Sequence, residues 1–215
     1  MKKGVENRLS NHFSSLNAYI LNTLFPVFLK LEELHTLVVG GGLIGMEKLG
    51  AILANSPNAS VTLVAPEIKD EIQDLTVAYP NLILKLKPFE ETDLHGMDLV
   101  VAATSIKEVN AFVKECAKKH KVLSNIADTP HLCDFYLGSI VQKGDLKIAI
   151  STNGKSPTLA KRLREMFTEI IPEGTQKLLD NLKEVRDSLK GDFEFKVNKL
   201  NEITTVLRDK NSDVS

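Results

Sequence analysis

The chain has 215 residues, with 27 Lys and Arg against 28 Asp and Glu for a formal net charge of −1. That length suits one large or two small domains with a sizeable core, and the balanced charge gives no global argument for nucleic-acid or membrane binding. Its two cysteines, Cys116 and Cys133, make no disulfide framework, no apolar run reaches the ~18 residues of a membrane span, and the first residues hold no signal-peptide core, so a soluble cytoplasmic protein is expected.

Residues 1–24 read as an N-terminal extension, either a short helix or a loose terminus. "TLVVG", 36–40, is a continuous apolar run of the kind a strand covered on both faces carries. "LIGMEKLGAILAN", 43–55, follows at helical spacing. "SVTLVA", "NLILKLKPF" and "MDLVVAAT" read as the second, third and fourth strands. Val109, Phe112, Val113, Cys116 and Ala117 then recur at helical spacing, which predicts an amphipathic helix over 106–120, and "KVLSNIA" closes the series as a fifth strand. Alternating strands and helices imply βαβ units around a parallel sheet.

After residue 135 the pattern changes. "LGSIVQKGDLKIAIST" predicts two strands around a turn at Lys143-Gly144-Asp145. "SPTLAKRLREMFTEII" predicts a helix with Ser156 as N-cap, Pro157 at its first position, and an apolar stripe of Leu159, Leu163, Phe167 and Ile170. Pro172 and Gly174 break it, and two charged amphipathic helices split at Gly191 run to about residue 208. The expected organisation is an α/β, Rossmann-like nucleotide-binding domain over 25–135, a small α+β segment over 136–172 and a helical tail over 173–215.

Gly40, Gly42 and Gly45 satisfy G-x-G-x-x-G between a strand and a helix, the context in which the motif holds a dinucleotide. A sharp strand-to-helix turn needs backbone freedom, the pyrophosphate needs close approach, and the helix N-terminus offers unpaired N–H groups and positive dipole. The acidic residue that would hold the ribose is displaced. Ala65 occupies its usual place in "TLVAPE", and Glu67 comes two residues later, where a first-turn helix acid is the competing reading. No arginine follows at once, which favours NAD; Lys69 keeps NADP open.

Asp128, in "SNIADTP", falls beyond the carboxyl end of the fifth strand, where open α/β sheets bind ligands. It is a candidate general base, or simply a turn aspartate ahead of Thr129-Pro130. His131, Cys133 and Asp134 lie close together but lack the further ligands of a metal site, and none is expected. His12, His35, His95 and His120 read as surface residues. "STNGKSPTLAKRLRE" carries Lys155, Lys161, Arg162 and Arg164 at or just inside a helix start, which hints at an anionic ligand, with a solvated basic face as the alternative.

Taken in order, "FPVFLKLEELHTLVVGGGLIGMEKL", "TLVAPE", "LVVAATSIKEVN" and "SNIADTPHLCDFYLGSIVQKGDLKIAISTNGKSPTLAKRLRE" resemble the precorrin-2 dehydrogenase / sirohydrochlorin ferrochelatase family, the dehydrogenase module of siroheme synthase, over roughly residues 25–172. The resemblance implies NAD-dependent oxidation of precorrin-2 to sirohydrochlorin, with ferrous iron insertion as a second activity in many members. It places NAD near Gly42, Leu43 and Ile44 and at Glu67 and Ile68, and the key carboxylate of both reactions on Asp128. It implies a homodimer built by the hairpin and following helix, with a tetrapyrrole cleft between that segment and the nucleotide domain. Precorrin-2 carries many carboxylates, and a chain of near-zero net charge needs a local cationic patch to hold it; Lys155, Ser156, Lys161 and Arg162 are the candidate contacts.

Two positions depart from the common family loop: Gly45 stands for an alanine, and Glu47 for an arginine, which removes a positive charge near the phosphates. The methyltransferase domain of some relatives does not fit within 215 residues, so a separate uroporphyrinogen methyltransferase is expected to supply the substrate. The competing readings are a non-catalytic NAD-binding redox sensor, which has no need of Asp128 or the basic segment, and a dehydrogenase of another small anion.

Overall fold

The computed structural model describes residues 22–204. Five parallel strands form one sheet in the order β3-β2-β1-β4-β5: β1 His35–Val39, β2 Ser60–Ala65, β3 Leu82–Leu86, β4 Leu99–Ala102 and β5 Leu123–Ile126. Helices α1 (Leu43–Asn55) and α2 (Asp70–Ala78) cover one face, and α3 (Lys107–His120) with a 3₁₀ turn at Glu91–Leu94 covers the other. The apolar run of β1 follows from this sandwich. Val38 points to the side of Leu49, Leu53 and Ile72, whereas Leu37 and Val39 point to the side of Leu94, Val113 and Cys116. Successive residues alternate faces and both faces are dry, so no polar alternation survives.

The strand order reverses direction between β1 and β4. A crevice opens at such a point beyond the carboxyl ends of the strands, and the loops leaving β1, β2, β4 and β5 gather at that edge.

A two-stranded antiparallel hairpin follows, β6 (Ser139–Lys143) and β7 (Leu146–Ile150), turning through Gly144 at φ +59° and Asp145. Helix α4 (Pro157–Ile170) packs on β6. Helices α5 (Thr175–Ser188) and α6 (Phe193–Thr204) complete the described chain. Gln176 of α5 clamps the hairpin turn: its Oε1 accepts from Asp145 N–H at 2.7 Å and its Nε2 donates to Asp145 Oδ2 at 3.1 Å. Lys147 of β7 donates to the carbonyl of Asn55, the last residue of α1, and so ties the hairpin to the sheet domain. No helix among the described residues is long and apolar enough to cross a membrane.

Several sequence expectations shift. The third strand ends at Leu86 instead of running to residue 89, because Pro88 offers no N–H to a ladder. The fifth begins at Leu123; Lys121 instead ends α3 in the left-handed conformation, φ +58°. The short α2 went unread in the sequence, although Ile68, Ile72, Leu75 and Tyr79 recur at helical spacing and pack on the same core face. His35 and His95 are exposed, but His120 is half-buried and bonded to Glu91 at 3.0 Å. Residues 1–21 with His12, and the tail beyond residue 204, lie outside the described residues.

Candidate active site

The glycine loop is shaped by what surrounds it. Gly40 leaves β1 at φ +126°, and a Cβ there would stand 2.4 Å from the Ala103 carbonyl oxygen of the neighbouring β4 exit. A Cβ on Gly41 would lie 2.2 Å from the Glu67 carbonyl oxygen, and one on Gly45 2.0 Å from that of Gly40. Three of the glycines are therefore closed in by backbone. Gly42 differs: a Cβ there meets nothing within 4 Å. It is the N-cap of α1, no side chain caps that helix, and the first turn carries no acidic residue. Unpaired N–H groups and the positive dipole end thus face open space where backbone can approach a diphosphate.

That space is a cleft of about 890 Å³, ample for a dinucleotide. Gly40 to Ile44 form its floor, Ala65 to Lys69 one wall, and Ala103 to Ile106 the opposite one. Glu67 and Ile68 stand on the cleft, and Lys69 stands beside them with its Nζ 3.6 Å from Glu71. Glu47 points its charge to Lys48, 2.9 Å away.

The sequence reading missed the far wall. Phe89 and Phe112 pack edge-on with centroids 5.9 Å apart and, with Ile106 and Val109, give the cleft an apolar side. It also missed buried Asn110 of α3, which staples the loop after β4. Its Oδ1 accepts from Thr104 N–H at 3.2 Å and from Thr104 Oγ1 at 2.8 Å, and its Nδ2 donates to the Thr104 carbonyl at 3.0 Å. The signal available was an Asn at a core position of an amphipathic helix, six residues after the strand-ending Thr.

Asp128 stands two residues beyond β5, exposed, at φ +56°. The preceding Ala127 N–H still bonds the Ala102 carbonyl at 2.9 Å, and Thr129 N–H closes back on Ile126 at 3.2 Å. Left-handed backbone is uncommon for residues other than glycine, although Asp and Asn tolerate it best. Asp128 does not line the cofactor cleft, but it emerges at the same edge of the sheet.

A second such residue comes to meet it. Asn153 has φ +54°, and a Cβ on the adjacent Gly154 would lie 3.8 Å from Pro130 Cγ, so the loop ahead of α4 leans on the Asp128–Pro130 turn. Ser156 caps α4, its Oγ accepting from Leu159 N–H at 3.2 Å, while its own N–H donates to Thr152 Oγ1 at 3.1 Å. Exposed Lys155 sits in this loop. Lys161 and Arg162 lie a turn further along the helix, both committed to Glu165 at 4.0 and 2.9 Å. The structure thus brings Gly154 to the turn, leaves Lys155 and Ser156 in the loop that follows it, and pairs Lys161 and Arg162 with Glu165.

Cys133 and Asp134, grouped in the sequence with His131, hold the loop. Burial pushes the Cys133 thiol up against the pull of the Ile126 N–H, so the protonated sulfur can donate toward Ile126 O at 3.3 Å while accepting that N–H at 3.2 Å. For Asp134, burial alone would raise the carboxyl; hydrogen bonds from Lys114 and from Ser124 outweigh it and hold the group below its ordinary range. His131 is exposed.

Comparison with known proteins follows the same division. The family of putative NAD(P)-binding domains matches residues 27–139, and the central segment of sirohaem biosynthesis proteins matches residues 143–169. A solved structure titled SirC, precorrin-2 dehydrogenase, superposes with a TM-score of 0.68 at 32% identity, over 84% of this chain and 89% of that one. The chain belongs to the precorrin-2 dehydrogenase / sirohydrochlorin ferrochelatase family. As a member it carries an NAD(P)-binding Rossmann-like domain followed by the central segment of sirohaem biosynthesis proteins. Siroheme synthase of Methylococcus capsulatus is 41% identical over 148 residues, 68% of this chain, and that of Psychrobacter arcticus is 36% identical over 170 residues, 79% of this chain. The match spans 30% of each of those longer proteins.

Proposed function

We propose that this chain oxidises precorrin-2 to sirohydrochlorin with NAD. The observation that carries the reading is the meeting, at one edge of the sheet, of an uncapped helix start open at Gly42 with a carboxylate turn at Asp128 against which the Gly154 loop rests. Precorrin-2 loses a hydride and a proton; NAD, when bound, accepts the hydride. The N–H groups of Leu43, Ile44 and Gly45 are the candidates to hold the diphosphate, Glu67 the ribose, and the wall of Phe89, Ile106 and Phe112 the adenine. Glu67 on the cleft wall favours NAD over NADP, since a carboxylate accepts from a ribose hydroxyl and repels a phosphate.

Asp128 takes the proton as the macrocycle gains conjugation. It is exposed and emerges at the edge of the sheet where the cleft opens. The loop after β7 reaches this turn at Gly154, and exposed Lys155 beside it is the candidate donor for peripheral carboxylates. Ferrous iron insertion, with iron as substrate, is the proposed second activity, in which the same carboxylate receives pyrrole protons.

We also read the chain as a homodimer. Leu159, Met166 and Ile170 of α4 are 51%, 42% and 65% exposed, an apolar face that a second copy would cover.

The test is an anaerobic assay with purified protein, NAD and enzymatically made precorrin-2, followed by absorbance, with ferrous iron added second. NADH and the sirohydrochlorin spectrum are expected together, and enzyme-dependent metal uptake would add the chelatase. Intact protein that binds NAD yet forms no NADH would overturn the dehydrogenase and favour the sensor.

A further inference from the structure

Behind the Asp128 turn lies a polar cluster that the proposed reaction does not use. Asp134 accepts from Ser124 N–H at 2.9 Å, from Ser124 Oγ at 2.7 Å, and from Lys114 Nζ at 2.8 Å on each carboxylate oxygen. Lys114, on α3, also donates to Ser124 Oγ at 2.9 Å. Ser124 is fully buried in β5, an edge strand whose outward N–H groups have no neighbouring strand to pair with among the described residues. Side chains replace that strand. The Asp134 carboxylate takes the Ser124 N–H and the Cys133 sulfur takes the Ile126 N–H, while Asp134 N–H returns to the Ser124 carbonyl at 2.8 Å and Asn125 Nδ2 reaches the Phe135 carbonyl at 2.8 Å.

The consequence is geometric. Residues 133–135 are sewn along β5, so the chain between Ile126 and Cys133 is a loop with both ends fixed. Asp128 sits within it at φ +56°, a conformation that persists only where the surroundings over-determine it. Capping one edge N–H needs a single acceptor. A cation from α3 bridging both oxygens of Asp134 does more: it fixes the return leg against a second element of the core.

We propose that Asp134, held by Lys114, is a positioning residue that anchors the return leg of this loop and so sets where the Asp128 carboxylate stands. The proposal rests on the reading of Asp128 as the proton acceptor. It assigns no contact with substrate to either residue. Its effect runs through the placement of Asp128, and misplacement of a catalytic group by a fraction of its reach is costly.

The experiment uses the full chain with Asp134→Asn, Lys114→Met and Lys114→Arg, each alone and in an Asp128→Asn background. kcat and KM come from the anaerobic precorrin-2 assay, the NAD dissociation constant from titration, and loop order from amide hydrogen exchange over residues 127–133. In Asp134→Asn and Lys114→Met, kcat should fall by about 10- to 100-fold with NAD binding unchanged, and exchange should quicken in the loop and not in the sheet. Lys114→Arg should restore most of kcat, since it keeps the charge and donors. Added to Asp128→Asn, neither change should cost further turnover. Full kcat in Asp134→Asn, with Asp128→Asn inactive, overturns the proposal, as does a loss that multiplies with that of Asp128→Asn. Full turnover in Asp128→Asn alone overturns the reading of Asp128 instead. If Asp134→Asn does not fold, Lys114→Met carries the same expectations.

Discussion

The glycine loop and the Asp128 loop lie at the same edge of one sheet and are built in opposite ways. The first is made of backbone: on Gly40, Gly41 and Gly45 a Cβ would stand 2.0–2.4 Å from a carbonyl oxygen, and on Gly42 it would meet nothing within 4 Å. The second is made of side chains, with Asp134, Lys114, Ser124 and Cys133 tying one short loop to a strand and a helix. A backbone cradle suits the proposed role of holding a diphosphate. A side-chain scaffold holds one carboxylate against a conformation that its own backbone disfavours. Binding and proton transfer can therefore be damaged separately.

The largest expected effect is on chemistry. Asp128→Asn keeps a residue that tolerates left-handed backbone and should lower turnover by about 10²- to 10⁴-fold while NAD titrates as in the parent; NADH formation and titration measure the two. A matching loss of NAD affinity would break the division between the regions.

Next comes a pair of glycines that separates folding from binding. Gly40→Ala forces a Cβ against the Ala103 carbonyl at φ +126° and should cost about 2–3 kcal/mol of stability. A Cβ on Gly42 meets no protein atom within 4 Å, so the thermal midpoint of Gly42→Ala should stay close to the parent's, while the NAD dissociation constant rises by about 10-fold or more. Equal melting losses in both would mean that the open side of Gly42 is not a ligand space.

A pH series sharpens the other region. The Asp134 carboxyl is held below its ordinary range in the folded chain, so its contribution to stability is present above the unfolded value of about 3.9 and is lost as pH falls through the folded value. Thermal midpoints from pH 6 down to pH 3 should fall less steeply in Asp134→Asn than in the parent. An unchanged slope would show that the pair with Lys114 is spent against its own desolvation.

The smallest effects belong to the basic helix. Lys161 and Arg162 are 63% and 74% exposed and already paired with Glu165. Replacing either by Ala should alter stability by less than about 0.5 kcal/mol and raise the KM for precorrin-2 less than Lys155→Ala does. The reverse order in KM would move the substrate patch from the loop onto the helix.

How much of this could be read beforehand varies by the range of the interaction. The glycine loop was legible because the strand, the motif and the helix are contiguous, and every steric demand on them is local in sequence apart from the Ala103 and Glu67 carbonyls. Asp128 was legible only in part: its place after a fifth strand follows from counting, but Asp before Thr-Pro reads equally as turn chemistry. Asp134 was noted beside His131 and Cys133, with no metal site expected there, but its actual partners, Lys114 and Ser124, lie 20 and 10 residues away. Phe89 and Phe112 gave no periodic signal as a pair because they come from different elements. Ser156 read correctly as an N-cap, since that bond spans only three residues.

The sequence by itself determined the parallel sheet, the glycine-rich strand-to-helix turn and the place of a carboxylate beyond β5, because hydrophobic period, glycine sterics and chain order act over short stretches. Only the tertiary structure decided which wall of the cleft is apolar, which cations are already spent on Glu165, and what holds Asp128 in its left-handed turn. Those depend on residues brought together by packing across the sheet, and no local pattern in the chain records which of them will meet.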